Sequence, residues 1–177
     1  MAIITDEKVL RSMKCLDVLP EEVGELVATL ERELEHSEKL GRKGIGLAAP
    51  QIGIAKKIAI VRIDNNHSVD LINCRITNAY DPALFTDEGC LSVPGRLEDT
   101  MRFQEVHIVD NLMYPNAFIA TGLMSVVVQH ELEHLDSVLF FDKAVQKKKE
   151  VPIKIKLRPN DQCSCGSGKK AKRCCLA

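Results

Sequence analysis

Two histidines lie one helical turn apart in a segment that is predicted to be a helix, and this arrangement limits the possible folds of the chain. Residues 123–135 contain no glycine or proline, which favours a helix, and residues 126–128 are three consecutive valines. His130 and His134 are four residues apart, so their imidazoles project from the same face of the helix. The valines predict a largely buried segment, and buried imidazoles need partners. The pattern therefore indicates a core helix on which two histidines can bind one metal ion.

Glu131 lies directly after the first histidine, as the motif HExxH requires. In such sites a metal ion lowers the pKa of a bound water to about 7, and the glutamate accepts a proton from that water. A catalytic site of this kind needs a third protein ligand. The segment after His134 lacks the downstream glutamate or histidine of zinc peptidases, although Asp136 and Asp142 are nominal candidates. The helix by itself therefore leaves the third ligand open.

The rest of the pattern favours an α+β fold. A first helix is predicted at residues 20–38, because it begins at a proline and carries one apolar stripe. β-Branched runs predict three strands, at residues 57–63, 69–77 and 105–110. Since helices and strands do not alternate regularly, we expect mainly antiparallel sheets packed around the helix with the two histidines, and a small separate module at the C-terminus.

Composition and the start of the chain exclude several classes of protein. The chain has 177 residues, 45% of them hydrophobic and 28% charged, which suits one main core with an appendage. No apolar run approaches the roughly 18 residues of a membrane span. The first residues lack the basic, apolar and small-residue regions of a secretory signal. We therefore expect a soluble, cytoplasmic monomer that does not bind a membrane.

The charge of the chain is divided unevenly. Residues 147–177 contain ten Lys and Arg residues against two acidic residues, a net charge of +8, whereas the whole chain has a net charge of −1. Residues 1–146 therefore have a net charge of −9. The division predicts a main domain at 1–146, a basic linker at 147–158 and a C-terminal module at 159–177. A basic tail is typical of binding to RNA or to acidic proteins, and a solvated tail is equally compatible with it.

Four of the seven cysteines lie in the last fifteen residues, in a CxC…CC pattern: Cys163, Cys165, Cys174 and Cys175. An odd number of cysteines without a secretory signal favours metal binding over disulfides. Four thiolates so close in sequence fit a closed structural zinc site, and a disordered, reactive tail is the alternative. The segment resembles the SEC-C motif, a short zinc module. The resemblance implies one structural zinc ion held by the four thiolates.

Three short segments of the main domain resemble the peptide deformylase family. They are Gly-Ile-Gly-Leu-Ala-Ala-Pro-Gln at 44–51, Glu-Gly-Cys-Leu-Ser at 88–92 and Gln-His-Glu-Leu-Glu-His-Leu at 129–135. The segments occur in the order of the family, and the similarity covers roughly residues 1–146. The resemblance implies a hydrolase that removes the formyl group from the N-terminal formyl-methionine of nascent polypeptides, by attack of a metal-bound water on the formyl carbonyl.

The resemblance also implies a role for each residue of the centre. Cys90 would supply the third metal ligand beside the two histidines, for one divalent ion, Fe(II) or Zn(II). The Gln51 amide and the Leu91 backbone N–H would stabilise the oxyanion. Glu131 would accept the proton of the attacking water and return it to the leaving amine.

The same resemblance assigns a substrate-binding cleft around the metal. Its residues are Gly44, Ile45, Gly46, Arg96, Leu123, Val126 and Val127. The Gly46 backbone would pair with the extended peptide, because glycine has no Cβ to block close approach. The three helix residues face the metal side and could line a pocket for methionine, with core packing as the competing interpretation. Arg96 would meet the peptide backbone or be solvated. A Glu88–Arg102 salt bridge would support the cysteine loop, an ordinary surface pair being the alternative.

Three positions depart from the family pattern. Glu133 stands where Asp is usual, Ser137 where Gly is common, and Lys43 where some members have an acidic residue. None of the three is expected to be a ligand. The longer Glu133 carboxylate changes the surroundings of the metal, and Lys43 leaves the preference for peptide sequence open.

Partners and competing functions follow from the tail and the helix. The basic residues of the tail are predicted to bind ribosomal RNA, a ribosomal protein or an acidic chaperone near emerging nascent chains. A zinc endopeptidase with an acidic third ligand is the alternative enzyme. A non-catalytic adaptor that acts through the zinc tail is the non-enzymatic alternative.

Overall fold

The computed structural model describes residues 3–110, 116–145, 160, 162, 165 and 167–174. The chain divides into two compact units, Met1–Val145 and Gln146–Ala177. The predicted basic linker at 147–158 lies outside the described residues. The predicted domain limits therefore stay predictions.

The described part of the first unit is built from helices and antiparallel sheets. Its α-helices are α1 (Glu7–Ser12), α2 (Val23–Lys39) and α3 (Gly122–Leu135). Its strands are β1 (Gly46–Ala48), β2 (Ile58–Arg62), β3 (Ser68–Ile72), β4 (Arg75–Cys90), β5 (Val93–Asp110) and β6 (Asn116–Thr121). They form two antiparallel sheets, in the orders β1-β2-β3 and β4-β5-β6. The predicted α+β fold is confirmed. No described helix is both long and apolar enough to span a membrane.

Helix α3 forms the centre of the first unit, as its apolar sequence predicts. Its residues Val128 and Leu132 share one buried cluster with Val61 of β2, Val106 of β5 and Ala120 of β6. One helix therefore packs against strands of both sheets, and this burial accounts for most of its stability. The predicted start at residue 123 differs by one position from the observed start at Gly122.

Helix α2 covers the first sheet and ends at a defined cap. Its buried Leu30 and Leu34 pack in a second cluster with Leu47 of β1. At its C-terminus Gly41 adopts a left-handed φ of 79°, and the Arg42 N–H donates to the Ser37 carbonyl at 2.9 Å. This backward bond is that of a Schellman cap, and it turns the chain from α2 toward β1.

Two strand predictions are corrected by the structure. The predicted strand at 69–77 is divided into β3 and β4, because Asn73 has a left-handed φ of 52° and its side chain bonds both backbone groups of Val18. The predicted strand at 105–110 is only the end of β5, which begins at Val93. The alternation of this long hairpin is interrupted by register shifts and by Pro82, so its pattern was too irregular to predict.

Candidate metal centre

Three predicted metal ligands meet where the end of strand β4 lies against helix α3. Cys90 is the last residue of β4, and His130 and His134 lie on α3. Their candidate ligand atoms all lie within 4.8 Å of one another, and Cys90 Sγ is 3.2 Å from His134 Nε2. One thiolate and two imidazoles suit zinc and also Fe(II). The end of β4 therefore supplies a third candidate ligand beside the two histidines of α3.

A buried ion pair holds the first histidine in position. Glu88 Oε1 lies 2.6 Å from His130 Nδ1, and Arg102 donates from Nη2 and Nε to the two oxygens of Glu88 at 2.6 and 2.8 Å. Burial alone would raise the pKa of Glu88, but the bonds from His130 and Arg102 hold that pKa at about 2. The ionised carboxylate fixes Nδ1 and leaves Nε2 for a metal. The predicted Glu88–Arg102 salt bridge is confirmed, and it is buried.

Glu131 presents an unpartnered carboxylate oxygen next to these ligands. Its Oε2 is buried and has no hydrogen-bond partner among the described residues, and burial raises the pKa of Glu131 to about 7. A Cβ built on Gly46 would lie 2.8 Å from Glu131 Cδ, closer than real Cβ atoms come. A side chain at position 46 would therefore displace the Glu131 carboxylate, a constraint that the sequence motif did not reveal. A buried carboxylate oxygen of this kind fits a site that receives a protic group such as water.

Gln51 directs its amide toward the same place. Its Oε1 accepts the Ala48 N–H at 2.8 Å, which fixes the orientation of the amide. Its Nε2 then donates to Ser92 Oγ at 3.1 Å and approaches Cys90 Sγ at 3.4 Å. Leu91 lies in the two-residue turn between β4 and β5, next to Cys90. Both predicted oxyanion donors thus belong to residues that border the candidate ligands.

A cleft of about 600 Å³ opens onto the centre. Every residue predicted to bind substrate lines it: Gly44, Ile45, Gly46, Arg96, Leu123, Val126 and Val127. Leu123 is 45% exposed and available to a ligand, whereas Val127 also packs into the core cluster. Pocket lining and core packing therefore coexist on this face of α3.

Arg96 makes two contacts within the protein that neither predicted alternative included. Its Nε donates to Glu98 at 2.9 Å, and its guanidinium lies 4.0 Å from the centroid of the Phe141 ring. These two contacts hold Arg96 at the cleft wall. Phe141 is far from Arg96 in sequence, so the pattern gave no sign of this contact.

Asp136 and Asp142, the two candidates for the acidic third ligand of an endopeptidase, do not join the cluster of metal ligands. Asp142 accepts two hydrogen bonds from the Arg11 guanidinium, both at 2.8 Å. Asp136 lines a different pocket together with Cys74 and Lys57. Among the described residues, the one cluster of three or more candidate metal ligands is formed by the cysteine and the two histidines.

Comparison with known families agrees with this arrangement. The sequence profile described as "Polypeptide deformylase" matches residues 2–150. The chain belongs to the polypeptide deformylase family. A second profile, the SEC-C motif, matches residues 160–177, as the cysteine pattern predicts. The chain is accordingly a hydrolase of the deformylase class, and members of this class require a catalytic metal.

Relatives of this family member come from several groups of organisms. It is 36% identical to peptide deformylase 2 of Prochlorococcus marinus (strain MIT 9313) over 140 residues, which cover 76% of this chain and 69% of the relative. It is 33% identical to the peptide deformylase of Helicobacter pylori (strain G27), over 81% and 88% of the two chains. Two other cyanobacterial relatives are matched over 63% and 65% of their length.

Solved structures of the family share the fold. The peptide deformylase of Synechococcus elongatus, crystallised with actinonin, superposes with a TM-score of 0.70 at 30% identity, covering 83% of this chain and 79% of that one. The enzyme of Thermotoga maritima gives a TM-score of 0.68 at 26% identity, covering 81% and 96%.

Three contacts of this family member were not predicted from its sequence. Ser92 bonds Gln51, and Phe140 stacks on His130 with ring centroids 5.9 Å apart. Glu133 Oε1 lies 2.7 Å from Arg102 Nη1, so the departure at this position extends the buried ion pair. Position within the second motif could have drawn attention to Ser92. Nothing in the local pattern pointed to Phe140.

The second unit is described only in part. Ala171–Arg173 forms a 3₁₀ helix, and Cys165 Sγ lies 3.4 Å from Cys174 Sγ. Two sulfurs bound tetrahedrally to one zinc ion would be about 3.8 Å apart, so this pair fits a shared metal. Cys163 and Cys175 lie outside the described residues. The four-thiolate site therefore stays a prediction.

Proposed function

We propose that this enzyme removes the formyl group from formyl-methionine at the start of nascent polypeptides, with Cys90, His130 and His134 holding one divalent ion, Fe(II) or Zn(II). The observation that carries the proposal is the Glu131 carboxylate oxygen, buried and unpartnered beside this ligand set. When bound, the ion lowers the pKa of water and polarises a carbonyl oxygen. A proton acceptor at hand is what hydrolysis then requires.

Glu131 is the group that moves the proton. Its elevated pKa, about 7, suits a residue that takes a proton from the attacking water and gives it to the leaving amine. The contact with Gly46 and the enclosing helix limit the conformations of its side chain. The carboxylate is thus preorganised and needs no rearrangement between the two proton transfers.

Two N–H groups are aimed at the developing oxyanion. Gln51 Nε2 is held toward Cys90 by its bonds to Ala48 and Ser92, and the Leu91 N–H follows Cys90 in the turn. Donors of this kind lower the barrier of acyl transfer by about 3–4 kcal/mol each. Gln51 is fully buried, so its amide exchanges little with solvent.

The free edge of β1 is the place for the peptide backbone. Among the described strands β1 pairs only with β2, and its other edge faces the cleft at Gly46. A peptide that adds to this edge brings its first residue next to Glu131. Leu123 and Val126 then offer an apolar wall to the methionine side chain.

The proposal predicts a strong preference for the formyl group. The purified protein should release formate from formyl-Met-Ala-Ser and leave acetyl-Met-Ala-Ser and internal peptide bonds almost intact, because the extra methyl of an acetyl group crowds the enclosed centre. The measurement is formate release beside chromatographic analysis of peptide products. Efficient cleavage of unformylated peptides, without formate release from the formylated one, would support the endopeptidase instead.

For the tail we propose one structural zinc ion, bound by Cys163, Cys165, Cys174 and Cys175, and a role in localisation. A closed site with four thiolates has no open position for substrate. Lys169, Lys170, Lys172 and Arg173 are the basic residues within this segment. They suit an anionic partner: ribosomal RNA, an acidic ribosomal protein or an acidic chaperone.

Removal of residues 159–177 should therefore abolish one equivalent of tightly bound zinc and leave the turnover of formyl-Met-Ala-Ser nearly unchanged. It should weaken co-sedimentation with ribosomes, most strongly at low salt, where the positive charge counts most. Cys15→Ser in the full chain is the matched control, since that cysteine lies outside the tail. A truncated protein that stays folded but loses turnover would contradict the separation of the two modules.

A further inference from the structure

The mouth of the cleft has a basic edge although the main domain is acidic. Arg42 and Lys43 are exposed, and both line the cleft directly before Gly44. Residues 1–146 have a net charge of −9, so two adjacent cations here run against the average charge of the surface. No hydrogen bond or ion pair joins either side chain to another described residue. Both charges are therefore available to a ligand.

The other charges of the cleft do not cancel this edge. Arg96 is paired with Glu98, and Glu88 is buried against Arg102. Asp87 is the one exposed carboxylate among the described residues that line the cleft. The described residues of the cleft mouth therefore include two unpaired positive charges and one exposed negative charge, so the mouth is positive on the side of β1.

The backbone places these cations along the path of the peptide. The Schellman cap at Gly41 fixes the chain as it leaves α2, and Arg42 and Lys43 then precede Gly44 and the bend that comes before β1. Gly46 adjoins Glu131, where the formyl group must react, and Gly44 adjoins Leu91. A peptide that pairs antiparallel with this edge advances about 3.3 Å per residue away from the centre. β1 begins at Gly46, and continuing the same count beyond the strand brings the fourth and fifth residues to the level of Lys43 and Arg42.

We propose that Arg42 and Lys43 make the enzyme select nascent peptides with acidic side chains at the fourth and fifth residues. This inference rests on the proposed deformylase function and adds a preference to it. Exposed ion pairs contribute little individually, so two of them should raise kcat/KM about fivefold over a neutral peptide. Because the contact lies far from the reacting carbonyl, the change should appear in KM and leave kcat nearly constant. It should also fall as salt screens the charges.

The test compares three formylated peptides on the full-length protein: formyl-Met-Ala-Ser-Glu-Glu, formyl-Met-Ala-Ser-Gln-Gln and formyl-Met-Ala-Ser-Lys-Lys. Wild type should rank them in that order at low salt. The double variant Arg42→Glu with Lys43→Glu should reverse the order. The double variant Lys8→Glu with Lys14→Glu is the matched control, since it also reverses two positive charges, at exposed residues outside the cleft, and should keep the wild-type order.

The possible results distinguish failure of the charge preference from failure of the proposed deformylase function. Turnover of the Gln-Gln peptide with equal kcat/KM for all three peptides would overturn the charge preference and leave the deformylase intact. The wild-type order persisting in the double variant would also overturn it, and would assign the preference to another basic surface such as the tail. No turnover of any formylated peptide would overturn the proposed function, and this inference with it.

Discussion

Substitution of Glu131 by Gln is expected to lower the turnover of formyl-Met-Ala-Ser by about a thousandfold while metal content stays near one equivalent in the catalytic centre. Gln has nearly the same shape, but its amide cannot accept the proton of the attacking water. The ligands Cys90, His130 and His134 are untouched by the change, so metal binding should persist. Metal analysis and formate release on the same preparation measure both quantities.

Glu133→Gln is the matched control for this substitution. It makes the same chemical change two residues later on α3, where the carboxylate contacts Arg102. The new amide oxygen can still accept that hydrogen bond, so turnover should fall at most severalfold. Near-normal activity of Glu131→Gln would remove Glu131 from the mechanism.

Cys90→Ser is expected to lose the catalytic metal and, with it, activity. A neutral hydroxyl is a far weaker ligand than a thiolate, and losing a direct ligand should weaken binding by more than the roughly 10–100-fold typical of outer partners. The measurement is metal content after dialysis against a mild chelator, together with formate release. A Cys90→Ser protein that keeps its ion and its activity would return the third ligand to Asp136 or Asp142.

Cys74→Ser controls for loss of a thiol as such. Cys74 lies between β3 and β4, packs beside the core and does not belong to the cluster of candidate ligands. Its substitution should leave metal content unchanged and cost only a little stability. Equal loss of metal in both variants would point to general unfolding rather than to ligation by Cys90.

The helical half of the site could be predicted from the sequence because its information is local. The spacing of His130 and His134 fixes their common face, and the flanking valines predict burial. The same reasoning gave the helix α2 and the antiparallel character of the sheets. For the helices the periodicity of neighbouring residues was sufficient, and for the sheets the order of helices and strands along the chain was sufficient.

Other parts of the site depend on contacts that are distant in sequence. Cys90 reaches the histidines only because the β4–β5 hairpin folds back over α3, and its assignment needed the resemblance to a family. The turn at Asn73 depends on hydrogen bonds to Val18, and the position of Arg96 depends on Phe141. Local propensity cannot encode such pairs. The contact between position 46 and the Glu131 carboxylate likewise appears only in the folded structure.

If water attacks the formyl carbon at this centre, the oxygen of that water must appear in formate, and isotope labelling shows where it goes. Formyl-Met-Ala-Ser is converted in water enriched in heavy oxygen, and formate and peptide are analysed by mass spectrometry. Hydrolysis of the formyl group should place one solvent oxygen in formate and none in the peptide Met-Ala-Ser. Heavy oxygen in a newly formed peptide carboxylate, with the formyl group still attached to methionine, would contradict it.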